Sequence, residues 1–176
     1  MAIVAAAALA LAACGFRPLY GRYSANPDTT GLFKSTYVEP IPYRVGYELR
    51  NTLIDLLRAK ATPNGALYRL KITYNEQQIP IAVQNVPIGT INETITTRYN
   101  YRLTANYELT AVRNNASIVK GSEDALASYN VTQSASGMYA TETAMLNAQK
   151  SAANDIAVRL RTDLAVYFDT HPATDR

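Results

Sequence analysis

The 176-residue sequence has no tryptophan, one histidine and one cysteine. A lone cysteine cannot close a disulfide within the chain, so no covalent cross-link supports the fold. The single histidine, His171, lies beside Pro172 near the end of the chain. It leaves no material for a histidine-based triad or for a clustered metal site, and no Gly-rich phosphate loop is present. The chain therefore reads as a non-enzyme without a metal or dissociable cofactor. Charge is also sparse: 18% of residues are charged and the formal net charge is +3. That is far from the Lys/Arg stripe of a nucleic-acid binder, so nucleic acid is excluded as a partner. A mild basic excess does suit an anionic lipid.

The position of the cysteine carries the first positive signal. Residues Met1 to Ala13 contain no charge, and Ile3 to Ala12 form an apolar core of roughly ten residues. This fits the h-region of a secretory signal and falls short of the about 20 residues that span a bilayer. Leu11-Ala12-Ala13-Cys14 resembles the lipobox of bacterial lipoproteins, although the usual basic n-region is missing. That resemblance implies a signal peptide over 1–13 and a mature chain beginning at Cys14. The cysteine would carry an S-diacylglycerol and an N-acyl chain, and each buried methylene adds about 0.8 kcal/mol of anchoring. Gly15 follows rather than the aspartate that retains many such proteins at the inner membrane. The implied destination is the outer membrane, on its periplasmic side.

The mature length suits one two-layer domain. Residues 14–31, rich in Pro, Gly, Asn, Ser and Thr, read as a lipidated tether. The domain is expected over 32–170, with a flexible tail over 171–176. "FKSTYVE" (Phe33 to Glu39) is a short strand candidate ended by Pro40 and Pro42. Tyr43 to Lys60 changes to a helical period, with Val45, Leu49, Leu53, Leu56 and Leu57 on one face. Leu67 to Gln77 alternates as a strand, and "IPIAVQNVPIGT", broken by Pro80 and Pro87, reads as a connector holding a hairpin tip.

Ile91 to Ala111 is the clearest segment. Its odd positions are mostly apolar (Tyr99, Tyr101, Leu103, Ala105, Tyr107, Leu109), and its even positions are polar. Alternation of this length predicts one strand of roughly 65 Å, which overhangs a small domain unless a bulge divides it. Arg113-Asn114-Asn115 signals a turn, Ala116 to Val131 a returning strand, and Tyr139 to Phe168 an amphipathic helix. The order β-α-β-β-β-α gives an α+β two-layer sandwich: a four-stranded mixed sheet with two helices on one face. The first two strands should be parallel with a right-handed crossover.

The tyrosine row Tyr99, Tyr101, Tyr107 reads as core packing. Glu123 and Asp124, adjacent on a strand, should point to opposite faces in a solvated or turn role. Arg98 and Arg102 fall on the polar face, with Arg69 and Lys71 on the neighbouring strand and Lys120 as a weaker third candidate. These are the candidate contacts for an anionic lipid or a partner wall, because guanidinium pairs bidentately with phosphate.

With these residues placed, the chain resembles the LPS-assembly lipoprotein family (LptE) in its alphaproteobacterial form. The resemblance rests on "CGFRPLYG" after the lipobox, "ITTRYNYRLTANYEL" in the long strand, "ASYNV" at Ala127 to Val131, and "LAVYF" at the end of the last helix. It implies a plug inside the outer-membrane β-barrel of the LPS translocon, which the protein helps to assemble and through which lipopolysaccharide reaches the cell surface. It also implies direct binding of lipopolysaccharide. In the enterobacterial branch that binding involves basic positions near the turn before the long strand and in the loop before the last helix. The matching stretches here, "NVPIGT" and "TQSASGMYATE", contain no Lys or Arg, so those contacts do not carry over. The alternative is a free-standing periplasmic lipoprotein binding a small apolar or lipid ligand between sheet and helices.

Overall fold

The computed structural model describes residues 29–132 and 137–171. The signal peptide, Cys14, most of the tether and the tail beyond His171 lie outside the described residues. The elements run α1 (Thr29–Lys34), β1 (Thr36–Val38), α2 (Tyr43–Leu57), β2 (Tyr68–Ile88), β3 (Ile91–Ala111), β4 (Ser117–Asn130) and α3 (Gly137–Thr170). The strands form one sheet in the order β1-β2-β3-β4, with β1 parallel to β2 and the other pairs antiparallel. Helices α2 and α3 pack on one face of it. This is the α+β two-layer arrangement that the alternation of periods predicts.

The core forms where those periods meet. Tyr101, Leu103, Ala105, Tyr107 and Leu109 of β3 are buried against Leu49 and Leu53 of α2 and Ile156, Leu160, Leu164 and Phe168 of α3. Burying one such side chain contributes about 1.5–3 kcal/mol. The aromatic sealing the far end is Phe168, fully buried and 5.7 Å from the Phe33 ring centroid, rather than its neighbour Tyr167.

Five local expectations need correction. Thr29–Gly31, assigned above to the tether, begin a short helix because Leu32 and Phe33 have a core to enter. Ser35 Oγ and Thr36 Oγ1 both donate to Leu32 O and turn the chain into β1, which shortens the first strand to three residues. Helix α2 stops at Leu57, because Arg58 takes the left-handed conformation (φ 50°) and Ala59 N–H returns to Ile54 O.

The expected connector after Gln77 is strand instead. β2 continues through Pro80 and Pro87 to Ile88 and meets β3 across a two-residue connection, Gly89-Thr90. Gly89 has φ 64°, as a primed hairpin turn requires. Beyond Val38 no described strand covers this side of β2, and proline is tolerated on an edge whose N–H need not donate. Finally, His171 is not frayed. Its N–H donates to Tyr167 O and its ring stacks on Tyr167 with centroids 4.3 Å apart, extending the last turn of α3.

The long strand does overhang. β4 ends at the Arg98–Asn130 pair, so from Thr97 out to Ile91 the sheet is only a two-stranded ribbon, about 23 Å long. The register between β2 and β3 slips at Ile81 and slips back at Thr97, one unpaired residue on each strand, so beyond the slips the even and odd positions exchange faces. Ile91, Val83 and Ile81 of the ribbon are exposed.

Candidate interaction surface

The sheet has one face under helices and one without. On the uncovered face β3 presents Arg98, Asn100, Arg102, Thr104, Asn106 and Glu108, the even positions of the alternation. Register places Gln77 of β2 and Leu126 of β4 beside Arg102, and Ala82 and Asn130 beside Arg98. Cross-strand hydrogen bonds tie the polar row together: Ser128 Oγ donates to Asn100 Oδ1 at 2.6 Å, and Thr104 Oγ1 to Asp124 Oδ1.

The candidate basic residues do not form one cluster. Lys120 Nζ lies 3.0 Å from Glu108 Oε1, with Lys71 on the other flank of Glu108. Lys120, the hydrogen bond from Ser117 and Lys71 hold the Glu108 carboxyl below its usual range. These groups line a shallow hollow of about 370 Å³ with Thr73 and Asn106. Arg69 is engaged by Glu39 at 3.5 Å. Arg98 and Arg102 are different: both are exposed, and among the described residues neither meets a carboxylate within ion-pair distance. They lie about 13 Å apart along β3, with Arg102 about 20 Å from Glu108.

Polar ties under the helices hold this face in place, and sequence reading missed their partners. Tyr101 Oη donates to Glu76 Oε2 at 2.7 Å, Tyr129 Oη to Gln78 Oε1 at 2.7 Å, and Tyr107 Oη to Asp163 Oδ2 at 3.1 Å. Tyr99 stacks on Tyr129 at 5.7 Å. Burial, and then the adjacent carboxylates, push the phenols of Tyr101 and Tyr107 well up from their usual range. They remain neutral donors at any physiological pH. Glu123 is not simply solvated, as expected above. Its side chain turns to the helix side, and its carboxyl is raised by desolvation and then by Asp163, while Asp124 points outward.

The space between sheet and helices, where an enclosed apolar ligand would sit, is packed by side chains that include Tyr101, Leu103, Leu160 and Leu164, all 0% exposed. Among the described residues no group of three His, Cys, Asp or Glu could hold a metal ion, and no helix is long and apolar enough to cross a membrane. Two helices fill one sheet face of this α+β domain, and a polar face and a two-stranded ribbon are left open.

The chain belongs to the lipopolysaccharide-assembly family, LptE, whose profile matches residues 33–164. Membership gives it a role in lipopolysaccharide assembly. It is similar in structure to a putative lipoprotein from Caulobacter crescentus, at 25% identity over 81% of this chain and 97% of the other, with a TM-score of 0.64. A minor lipoprotein from Acinetobacter baumannii shares the fold at 14% identity, covering 76% and 92% of the two chains, with a TM-score of 0.52. Rare lipoprotein B from Shewanella oneidensis does so at 12% identity, 74% and 92% coverage and a TM-score of 0.51. No curated protein matches the chain by sequence.

Proposed function

We propose that this protein is an outer-membrane lipoprotein, held by lipid at Cys14 on the periplasmic side, that plugs the β-barrel of the lipopolysaccharide translocon. In this role it helps the barrel assemble and assists the passage of lipopolysaccharide to the cell surface. It performs no bond chemistry and takes no cofactor beyond its covalent lipid. Its partners are the barrel, lipopolysaccharide and the membrane lipid around the anchor.

The observation carrying this reading is the uncovered polar sheet face from Arg98 to Glu108, which continues into the ribbon without a helix on it. Interior walls of large outer-membrane barrels are polar, so a plug that meets them needs hydrogen-bonding groups and few apolar ones. Arg98 and Arg102 supply charge to that surface and suit the phosphates of lipid A or acidic groups of the wall.

Photo-crosslinking side chains at Thr96, Asn100 and Thr104 test the proposal. Asn100 and Thr104 lie on this face and Thr96 in the ribbon beyond the Thr97 slip, and adducts to a barrel of large mass are expected in native membranes. Adducts confined to the helices of the same chain would contradict the layering on which the reading depends.

A further inference from the structure

β1 covers only the beginning of one edge of β2. Tyr68 N–H donates to Ser35 O at 3.3 Å, and Glu39 N–H donates to Leu70 O at 3.0 Å. The even-numbered residues of β2 therefore turn their backbone groups toward β1, and the odd-numbered ones toward β3. The chain then leaves the sheet at Pro40. The β2–β3 register is unbroken from Tyr68 to Pro80. The same parity therefore directs the N–H and C=O groups of Ile72, Tyr74, Glu76 and Gln78 along the open edge. Among the described residues, none bonds to these groups. Pro80, next in the series, has no N–H and closes the run.

A second observation lies beside this edge. Tyr43 is 84% exposed and has φ 62°, a left-handed backbone that a bulky residue adopts only under strain. It walls a hollow of about 500 Å³ whose lining includes Pro42, Ile72, Tyr74 and Glu76. Tyr74 Oη donates to Pro42 O at 3.0 Å and fixes that wall against β2. The opposite edge of the sheet, β4, carries Lys120, Glu123 and Asp124, charges of the kind that discourage strand addition. From Ile72 to Gln78 the only charge is Glu76, which is already engaged by Tyr101.

We propose that the Ile72–Gln78 edge receives an extended segment of the barrel polypeptide as an added strand, in line with β1. The proposal rests on the plug reading. Enclosure would take these four amides out of bulk water, and a buried N–H without a partner is costly. Backbone pairing supplies the affinity in such additions, and alternate side chains the selectivity. The incoming segment should alternate, apolar toward Tyr43 and Ile72 and neutral polar toward Thr73, Asn75 and Gln77.

Site-resolved hydrogen exchange on the full-length lipoprotein, alone and in the complex extracted from outer membranes, tests this. The amides of Thr73, Asn75 and Gln77 should be protected in both samples. Those of Ile72, Tyr74, Glu76 and Gln78 should exchange freely in the isolated protein and lose that freedom in the complex. A barrel that co-purifies while these four amides still exchange freely overturns the added strand and leaves the plug standing. A complex containing no barrel removes both.

Discussion

Tyr107 on β3 and Gly121 on β4 are register partners, and a Cβ on Gly121 would stand 2.5 Å from Tyr107 Oη and 2.6 Å from Cζ. The missing side chain is what lets the phenol cross β4 and reach Asp163 on α3. Sheet and helix are thus joined through a position that only glycine fits. Gly121→Ala should destabilise the protein by about 1–3 kcal/mol, the usual cost of forcing extra volume into a packed site. Urea denaturation measures it. In a Tyr107→Ala background the clash is gone, so the same substitution should cost much less. An equal cost in both backgrounds would show that the ring is not the obstacle.

The Glu123 carboxyl gives a pH dependence of known sign. Its folded-state value is raised by desolvation first and by Asp163 second, with Arg159 opposing. A raised carboxyl contributes stability that is complete below its unfolded value and is lost as pH rises through the folded one. Glu123→Gln removes that loss. The variant should melt above the parent at neutral and alkaline pH, with the gap closing as pH falls into the carboxylate range. A gap that widens on acidification would reverse the assignment.

Arg98→Ala with Arg102→Ala should leave circular dichroism and the melting curve nearly unchanged, since exposed substitutions usually shift stability by no more than about 0.5 kcal/mol. Each charge-assisted hydrogen bond contributes about 1.5–3 kcal/mol, so lipopolysaccharide binding or barrel assembly should weaken by one or more decades. Lys120→Ala should have a smaller effect, because Lys120 is paired with Glu108. Unaltered binding and assembly in a folded double variant would reduce the arginines to solvent-facing charges.

Cys14→Ser should abolish lipidation and leave precursor or soluble protein. Fractionation after a high-salt wash, in cells without the barrel, reads the outcome. A serine variant still held in the outer membrane under those conditions would remove the anchor from Cys14.

What the sequence disclosed was governed by local period. Tyr101 to Leu109 could be assigned to the core face because a two-residue repeat survives any packing arrangement, and Arg98 and Arg102 fell on the open face for the same reason. The prolines at 80 and 87 misled because their cost depends on whether an N–H is needed, which pairing decides and local sequence does not. The pairing of Lys120 with Glu108 was equally hidden, since register joins residues distant in the chain. Glu123 appeared solvated until α3 set Asp163 beside it. The helical period marked α3 clearly, but the role of Phe168 in sealing the core awaited its partner Phe33.

The closing layer of the core, α3, follows all four strands. Of the residues α3 buries, Ile156, Leu160, Leu164, Ala165 and Phe168 lie in its final turns. As the polypeptide emerges from its N-terminus, the sheet can pair strand by strand, yet its apolar face has only α2 for cover until α3 has followed β4. Loss of a few C-terminal turns should therefore act as an all-or-none defect in folding. An incomplete chain would expose Tyr101, Leu103 and Leu109 together, a ready target for chaperones and proteases.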